Sequence, residues 1–129
     1  MKRRNINALL ALFLILLPWC DAAANVTEAS EQEISHLLDY IGNSECSFIR
    51  NGASYSGARA REHIQRKYTY IKNRIDTTEQ FIQHAATQSS ITKSKYLVRC
   101  NDITTSTGSW LEQELKEFRR TASSPSSDN

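Results

Sequence analysis

The sequence predicts an α+β domain in which three to four helices pack on a small antiparallel sheet of two to three strands, with one disulfide. Several segments repeat apolar residues at the three- and four-residue spacing of an amphipathic helix. Short apolar segments end at turn dipeptides, which is typical of antiparallel strands. Two cysteines remain once an N-terminal export segment is removed, and an even number of cysteines favours a disulfide in an oxidising compartment.

The export segment has the three parts of a cleavable signal peptide. Residues 2–4 are basic, residues 8–17 are apolar without interruption, and three alanines at 22–24 offer a cleavage site. We therefore predict a signal peptide at residues 1–24, cut after Ala24, and a periplasmic or secreted protein. The apolar run is about half of the ~20 residues that a membrane-spanning helix needs, so no stable membrane anchor is expected.

Removal of this segment changes the charge balance. The full chain has 16 basic and 14 acidic residues, and the loss of three basic residues and Asp21 leaves 13 of each. A nearly neutral domain lacks the concentrated positive charge of nucleic-acid-binding domains, so no nucleic-acid partner is predicted. A lipoprotein anchored through Cys20 is not expected, because Trp19 stands where that processing needs a small residue.

Cys46 and Cys100 are the two cysteines of the predicted mature protein. A disulfide between them would close a loop of about 55 residues and contribute ~4 kcal/mol in the chain-entropy account. The alternative is two reduced, buried thiols that pack as small apolar side chains. Export favours the disulfide, because cysteines in exported proteins are commonly oxidised.

The first half of the predicted domain contains a helix, a strand and a second helix. Ser30 and Glu33 match a capping box, which predicts the start of the first helix. The short apolar segment at residues 46–50 is typical of a strand, which is expected to end at the Asn-Gly dipeptide of residues 51–52. The second helix is predicted to run from about residue 58 to residue 73. The positions expected to face the core are Ile34, Leu37, Leu38 and Ile41 in the first helix and Ala60, Ile64, Tyr68 and Ile71 in the second.

The second half contains a third helix, a hairpin and a last helix. Thr77 and Gln80 form another capping box, and residues 95–100 and 103–106 predict the two strands of the hairpin. Ser109 is expected to cap the last helix. The expected core positions are Phe81, Ile82 and Ala85 in the third helix and Leu111, Leu115 and Phe118 in the last.

These elements occupy residues 25–120, which we predict to be a single α+β domain. No internal repeat is visible in this range. The segment 121–129 is rich in serine, contains one proline and lacks a large apolar residue that would anchor it. It is therefore predicted to be a disordered tail.

Four short segments carry a family resemblance. They are residues 48–52, residues 74–82, the serines 89–90 leading into Lys95 and Tyr96, and the pair Trp110 and Leu111, and Ala60 and His63 also fit. In these segments the chain resembles the YfeK-like family of small exported bacterial proteins, which form a domain of unknown function. The departure is at residues 93–96, where the family favours a glycine and a proline before the aromatic residue. The resemblance implies an exported Gram-negative protein and brings no established activity, substrate or catalytic residue.

Polar side chains around the second helix form the candidate binding site. If the turn after the first strand, the second helix and the start of the third helix converge, cations lie beside a helix N-terminus, which binds carboxylate, phosphate or sulfate. We therefore hypothesise a site for a small anion or a peptide terminus. The candidate residues are Arg50, Asn51, His63, Lys67, Arg74, Thr77 and Glu79.

The alternative interpretation is that the same residues only stabilise the fold. Thr77 then caps the third helix and Glu79 favours its first turn. Arg74 pairs with a nearby carboxylate, and Lys67 flanks the apolar stripe of the second helix. The remaining basic residues of that helix form a solvated face, which in an exported protein favours anionic envelope material over nucleic acid.

No metal, cofactor or catalytic centre is predicted. His36, His63 and His84 lie on three different predicted helices, without the close spacing of metal ligands. Both remaining cysteines are assigned to the disulfide, which leaves no thiolate nucleophile. The sequence favours a non-enzymatic binding or accessory module for an envelope protein or an anionic ligand. The alternative is a small envelope-acting hydrolase in which His63, with a carboxylate partner, acts as acid or base.

Overall fold

The computed structural model describes residues 24–124, so the predicted signal peptide, apart from Ala24, lies outside the described residues. The described part contains four α-helices, one 3-10 turn and four strands, which confirms the α+β class. In chain order these are α1 (Glu28–Gly42), β1 (Ser47–Arg50), β2 (Ala53–Tyr55), α2 (Gly57–Ile71), the 3-10 turn (Lys72–Arg74), α3 (Thr78–Ala85), β3 (Leu97–Cys100), β4 (Ile103–Ser106) and α4 (Thr107–Ser123). None of these helices is long and apolar enough to span a membrane.

The sheet is antiparallel throughout, with the strand order β2-β1-β3-β4. The prediction of two to three strands is wrong, because the sequence pattern does not reveal β2. This strand has only three residues, and its Ala53 and Ser54 lack the apolar alternation of a strand. The turn before it has φ of 50° at Asn51 and 78° at Gly52, the left-handed pair that a tight two-residue hairpin requires. The Asn-Gly dipeptide therefore forms a hairpin instead of only ending β1.

The predicted disulfide between Cys46 and Cys100 is present. Strands β1 and β3 are neighbours, and Ser47 pairs with Arg99, which places the two cysteines opposite each other at the next position. Their Cα atoms are 4.7 Å apart, within the range that a disulfide requires. The bond joins two neighbouring strands that are distant in sequence, so it restricts how far the chain can open at this end of the sheet.

The starts of the helices differ from the prediction at two of four places. The Thr77–Gln80 capping box is confirmed, with both of its reciprocal hydrogen bonds. The α1 helix begins earlier than predicted, because Thr27 caps it and Ser30 lies in its first turn. Likewise α4 begins at Thr107 with Ser106 as its cap, and Ser109 donates its backbone N–H to the Ser106 hydroxyl. In both cases a second hydroxyl residue three positions away competes for the cap in the sequence pattern.

The ends of the two longest helices also differ from the expected bounds. The α2 helix ends at Ile71 and continues as the 3-10 turn, so the predicted end at residue 73 includes a segment of tighter winding. The α4 helix continues to Ser123, beyond the predicted domain end at residue 120. Residues 121–123, predicted to belong to a disordered tail, are therefore helical, and residues 125–129 lie outside the described residues.

The helices cover one face of the sheet. Phe48 of β1 and Val98 of β3 are paired and buried, whereas Ser47 and Arg99, paired on the opposite face, are exposed. This alternation is typical of a sheet that packs against helices on one side only. The core contains most of the predicted apolar residues of the four helices, and its most enclosed members are Leu37, Ile41, Phe81, Ala85, Ala86 and Leu111. Of the other predicted core residues, Tyr68 and Ile71 are only partly buried against it, and Phe118 lies outside it.

Gly57 fixes where α2 crosses the end of α1. A Cβ atom at this position would lie 2.4 Å from the carbonyl oxygen of Ile41 and 2.6 Å from that of Ser44, so only glycine allows the backbones to approach this closely. The contact sets the start of α2 against α1. As a result, the first turns of α2 also lie against the end of β1, where the candidate site is found.

Candidate functional site

Four polar side chains meet where α2 passes the end of β1. We call Arg50, His63, Lys67 and Tyr96 the donor cluster. Arg50 is the last residue of β1, and His63 and Lys67 lie one turn apart on the same face of α2. Tyr96 precedes β3 and is buried, and the pairing of β1 with β3 brings it beside Arg50. Three elements that are distant in sequence therefore contribute to one group of side chains.

Direct contacts connect the four side chains. Arg50 Nη1 lies 2.7 Å from His63 Nδ1, and His63 Nε2 lies 3.0 Å from Tyr96 Oη. Lys67 Nζ donates to Tyr96 Oη at 3.3 Å and to the carbonyl oxygen of Gln88 at 2.8 Å. The cluster is therefore continuous from Arg50 through His63 and Tyr96 to Lys67.

The protons of the cluster outnumber its acceptor atoms. Arg50 Nη1 lies 2.7 Å from His63 Nδ1 and 3.2 Å from Nε2. A guanidinium has no acceptor, so the ring nitrogen that accepts from Arg50 is unprotonated and the other nitrogen of a neutral imidazole carries the proton. Arg50 and Lys67 only donate, whereas the ring of His63 provides one acceptor nitrogen and Tyr96 one hydroxyl oxygen. The donor cluster thus presents more donors than it has acceptors.

Burial and the surrounding cations lower the pKa of His63 and so keep its ring neutral at neutral pH. Burial, followed by the charges of Arg50, Lys67 and Arg66, lowers the pKa of His63 from 6.5 to about 4. Burial and the charges of Lys93 and Arg50 lower the pKa of Lys67. Burial raises the pKa of Tyr96, so this hydroxyl stays protonated. At neutral pH, the cluster therefore carries the positive charges of Arg50 and Lys67 around two neutral donors.

Aromatic contacts hold the two cations in place. The guanidinium of Arg50 lies over the ring of Tyr55, with Cζ 4.7 Å from the ring centroid. Lys67 Nζ is 5.0 Å from the centroid of the Tyr96 ring. Cation–π contacts of this kind stabilise a charge without neutralising it. The two side chains are thereby ordered while their charges remain available.

The other arginines near the start of α2 have acidic partners. Arg61 pairs with Asp39 at 3.0 Å, and Arg66 pairs with Glu62 at 3.0 Å. In contrast, no carboxylate among residues 24–124 lies within 4 Å of the charged groups of Arg50 or Lys67. Arg50 and Lys67 therefore bring two positive charges together without a neighbouring carboxylate.

Two concave surfaces adjoin His63. An open groove of about 270 Å³ lies along α2 toward the end of α3, and an apolar cavity of about 30 Å³ lies between α2 and the sheet. The groove is lined by His63, Arg66, Lys67, Tyr70, Ile71, His84 and Ser90. His63 belongs to both surfaces, so a ligand that contacts the donor cluster can extend into either of them.

The seven candidate residues suggested by the sequence do not all lie at one place in the structure. Arg50, His63 and Lys67 lie together, and Asn51 is adjacent but exposed. The Oδ1 atom of Asn51 accepts a hydrogen bond from Thr92 Oγ1 at 2.8 Å, so Asn51 holds the loop before β3 against the hairpin turn. That loop contains Lys93, whose φ of 60° lies in the left-handed region that favours glycine.

The remaining candidates have structural partners elsewhere. Arg74 stacks on Tyr70, with Cζ 5.0 Å from the ring centroid. Thr77 caps α3, and Glu79 pairs with Arg119 of α4. Hydrogen bonding to Arg119 lowers the pKa of Glu79. The expected convergence with the N-terminus of α3 is therefore not found, and the end of α3, at His84, faces the groove instead.

Sequence reasoning missed Tyr55, Tyr96 and Thr107 as neighbours of the site. The sequence contains one signal for Tyr96: residues 96 and 98 share one face of a strand, and Val98 is a core residue. Tyr55 lies on the strand that the sequence pattern does not reveal. Thr107 starts α4 and reaches the cavity only because β3 and β4 bring α4 back beside β1.

The chemistry that the site offers is binding by donation of hydrogen bonds. In residues 24–124, no group of three or more His, Cys, Asp or Glu side chains is arranged to hold a metal ion. The polar partners of His63 are Arg50 and Tyr96, so the carboxylate that the hydrolase alternative requires is not among them. The donor cluster is instead suited to an anion or to a group rich in acceptors.

The comparisons with known proteins agree with the resemblance described above. Residues 28–119 match the model of a family of unknown function, DUF5329. The chain is 36% identical over 95 residues to the uncharacterized protein YfeK of Salmonella typhimurium. The matched stretch covers 73% of this chain and 76% of YfeK. No solved structure gives a significant match. The donor cluster lies within residues 28–119, and the chain therefore belongs to the DUF5329 family.

Proposed function

We propose that this protein is a non-enzymatic binding or accessory module of the bacterial envelope that binds an anionic ligand, or an acidic group of an envelope protein, at the donor cluster. The observation that carries the proposal is that Arg50 and Lys67 contact neutral groups, the ring of His63 and the hydroxyl of Tyr96, in place of carboxylates. A carboxylate or phosphate would supply the acceptors and the negative charge that the cluster lacks.

Export to the periplasm is part of this proposal. The pattern of residues 1–24 supports it, and so does the disulfide between Cys46 and Cys100, since disulfides persist in oxidising compartments. In that compartment, acidic ligands are available as envelope polymers, lipid head groups and peptide carboxylates. The location therefore fits a binding site that offers hydrogen-bond donors and positive charge.

The charge of the cluster also predicts how binding depends on pH. A bound anion opposes the positive field around His63, so binding raises the pKa of His63 from about 4 toward its ordinary value. By linkage, the protein takes up protons when the anion binds at mildly acidic pH. Affinity for an anion that stays ionised is therefore expected to increase as the pH falls from 7 toward 5.

The test is an NMR titration of the ¹⁵N-labelled oxidised protein with acetate and with inorganic phosphate at low ionic strength. The amides and rings of the donor cluster should shift with saturation. Arg50→Gln and Lys67→Gln should each weaken binding by about tenfold, because each removes one charge-assisted contact.

The matched control is Arg61→Gln, which removes one positive charge from α2, the helix that also carries Lys67, at a position paired with Asp39. It should leave the affinity within about twofold, since its guanidinium is already neutralised. If neither anion shifts the cluster, or if Arg61→Gln weakens binding as much as Arg50→Gln does, the proposed site is wrong.

A further inference from the structure

Large apolar side chains are exposed beside the donor cluster. Among the described residues, Tyr70, Ile91 and Ile103 are exposed by 74%, 93% and 67%. Tyr70 lines the groove that runs along α2 from His63, and Ser90, the residue before Ile91, lines it as well. Two of these three apolar side chains are therefore carried by the segments that form the groove, α2 and the loop before β3.

Hydrogen bonds order the loop that carries Ile91. The hydroxyl oxygen of Ser89 accepts from the backbone N–H of Ile91 at 3.3 Å and from that of Thr92 at 3.2 Å. At the base of the loop, Lys67 Nζ donates to the carbonyl oxygen of Gln88 at 2.8 Å, which joins the loop to α2 and to the donor cluster. The apolar side chain of Ile91 is therefore held in solvent by a defined turn next to the cluster.

Cations accompany both exposed side chains. Burial and then the charge of Lys93 lower the pKa of Lys67, so the loop brings a further cation close to the donor cluster. On the α2 side, the guanidinium of Arg74 lies over the ring of Tyr70, with Cζ 5.0 Å from the centroid. No carboxylate among residues 24–124 lies within 4 Å of the charged groups of Lys67, Arg74 or Lys93. Together with Arg50, these cations give the cluster and the groove a positive field.

Helix geometry relates Tyr70 to the donor cluster. Lys67 and Tyr70 are three residues apart on α2, so they share a face and lie about 5 Å apart along the helix axis. His63 is seven residues from Tyr70, which corresponds to about 10 Å. Interfacial protein segments enter a membrane by about 5–10 Å. A phosphate at the donor cluster and an apolar contact at Tyr70 can therefore belong to one membrane surface.

We infer that the anion bound by the donor cluster is the phosphate of an anionic phospholipid, and that Tyr70 and Ile91 enter the membrane surface beside it. This inference rests on the proposed function and names the class of its ligand. Lysine is depleted in protein interfaces, whereas membrane-surface segments combine lysine and arginine with apolar side chains. Tyrosine is also enriched at membrane–water interfaces, because its ring is apolar and its hydroxyl is polar. The composition of this surface therefore favours a lipid membrane over a partner protein.

The experiment measures co-sedimentation with vesicles of phosphatidylglycerol and phosphatidylcholine in equal parts, and with vesicles of phosphatidylcholine alone. The oxidised protein is used without residues 1–24, because that apolar segment would bind vesicles by itself, and the remaining chain contains every core residue of the fold. We expect the partition coefficient to be at least about tenfold higher for the anionic vesicles. Added salt should lower it, since salt screens the attraction between the cations and the lipid phosphates.

Serine variants test the apolar contacts. Tyr70→Ser and Ile91→Ser should each lower the partition coefficient by about tenfold, because each removes an apolar side chain that enters the membrane. Both should leave the affinity for inorganic phosphate within about twofold. Ile103→Ser is the matched control, because Ile103 pairs with Cys100 at the disulfide end of the sheet, away from the donor cluster. It should leave both quantities within about twofold.

Two charge variants connect vesicle binding to the donor cluster. Arg50→Gln should weaken the binding of phosphate and of anionic vesicles alike. Lys93→Asn should lower the partition coefficient by about fivefold, because it removes one cation from the surface. Asparagine tolerates the left-handed backbone of this position, so the loop should be retained.

Several results would overturn the inference. They are equal partition into both kinds of vesicle, vesicle binding that Arg50→Gln does not weaken, and a loss in Ile103→Ser as large as that in Ile91→Ser. If inorganic phosphate binds at the donor cluster and vesicles do not bind, the inference is wrong while the proposed function stands. The anion then belongs to a small molecule or to a partner protein. If neither phosphate, acetate nor vesicles bind, the proposed function itself fails.

Discussion

Two half-buried histidines on neighbouring helices have opposite surroundings. On α1, His36 lies 2.8 Å from the carboxylate of Glu114 and stacks on Phe118, with ring centroids 4.1 Å apart. On α2, His63 meets the guanidinium of Arg50 and the hydroxyl of Tyr96. Both rings contact an aromatic residue, but only the first has an acidic partner.

The difference extends to the regions around the two histidines. Near α1 and α4, positive and negative groups are paired: Arg119 binds both Glu33 and Glu79, which joins three helices. Tyr40 and Trp110 stack beside this network, with centroids 4.4 Å apart. We call this region the paired side. The donor cluster lacks such compensation. Cations that are paired with carboxylates stabilise the fold without a ligand. The donors of the cluster lack acceptors, and under the proposed function a bound ligand supplies them.

The largest expected effect is a loss of free energy of unfolding that leaves anion binding at the donor cluster unchanged. Trp110 packs on Tyr40 and edge-on against Phe48, so Trp110→Ala should lower the free energy of unfolding by about 2–4 kcal/mol. Anion binding at the donor cluster should remain, because Trp110 does not contact it. Urea unfolding measures the first quantity and an NMR titration of the folded variant measures the second. If the still-folded variant cannot bind acetate, the two regions are coupled and the comparison breaks down.

The second prediction concerns the pH dependence of stability. The pKa of His63 is lower in the folded protein, about 4, than its ordinary value of 6.5, so between these values the unfolded chain binds more protons. Stability from a neutral His63 is thus complete above pH 6.5 and is lost as the pH falls toward 4. After allowance for solvent screening of this partly exposed ring, the loss is on the order of 1–2 kcal/mol.

Replacing His63 with glutamine tests this origin. In His63→Gln, the free energy of unfolding should decline less between pH 7 and pH 4.5 than in the wild type, since glutamine does not titrate. His84→Gln serves as the matched control, because His84 is an exposed histidine on α3. Urea unfolding at a series of pH values gives the comparison. A wild-type slope that survives in His63→Gln would assign the acid sensitivity to other groups.

Two arginines provide the third comparison. Arg119→Ala leaves Glu33, whose side chain is only 15% exposed, without its cation, and should cost about 1 kcal/mol. Arg50→Ala should cost less, because removing Arg50 also removes repulsion with Lys67 and leaves no carboxylate unpaired. The expected effects on anion binding are reversed: Arg119→Ala has none, and Arg50→Ala weakens it by about tenfold. Equal effects of both changes on stability and on binding would show that the pairing of charges does not distinguish the regions.

Features of the individual elements were predictable because their signals are local. The capping box of Thr77 and Gln80 spans four residues, and the turn at Asn51 and Gly52 depends on two. The disulfide followed from the number of cysteines and the predicted export. Each of these inferences uses properties of nearby residues or a simple count, so tertiary structure is not required to make it.

The donor cluster was only partly predictable because long-range pairing assembles it. His63 and Lys67 share a helix face, but Tyr96 lies 33 residues from His63 and joins it only through the pairing of β1 with β3. The error over Thr77 and Glu79 has a related cause. The chain reverses after the 3-10 turn, so the end of α3 and not its start lies along the groove, and no local pattern specifies that geometry.

The smallest expected effect compares two threonines with the same local environment and different neighbours. Thr78 and Thr107 each begin a helix, and each has a buried hydroxyl without a partner among the described residues. Replacement by valine keeps the shape and removes the unpaired hydroxyl, so each variant should gain about 0.5–1 kcal/mol in free energy of unfolding.

The two gains should respond alike to a ligand, because both hydroxyls are buried and neither belongs to the donor cluster. Acetate stabilises the protein by binding to the folded state. In its presence, each variant should therefore keep its advantage over the wild type. Thermal unfolding with and without acetate measures both differences. If the advantage of Thr107→Val shrinks in acetate while that of Thr78→Val is retained, the bound anion reaches the start of α4, and the binding site extends beyond the four side chains of the donor cluster.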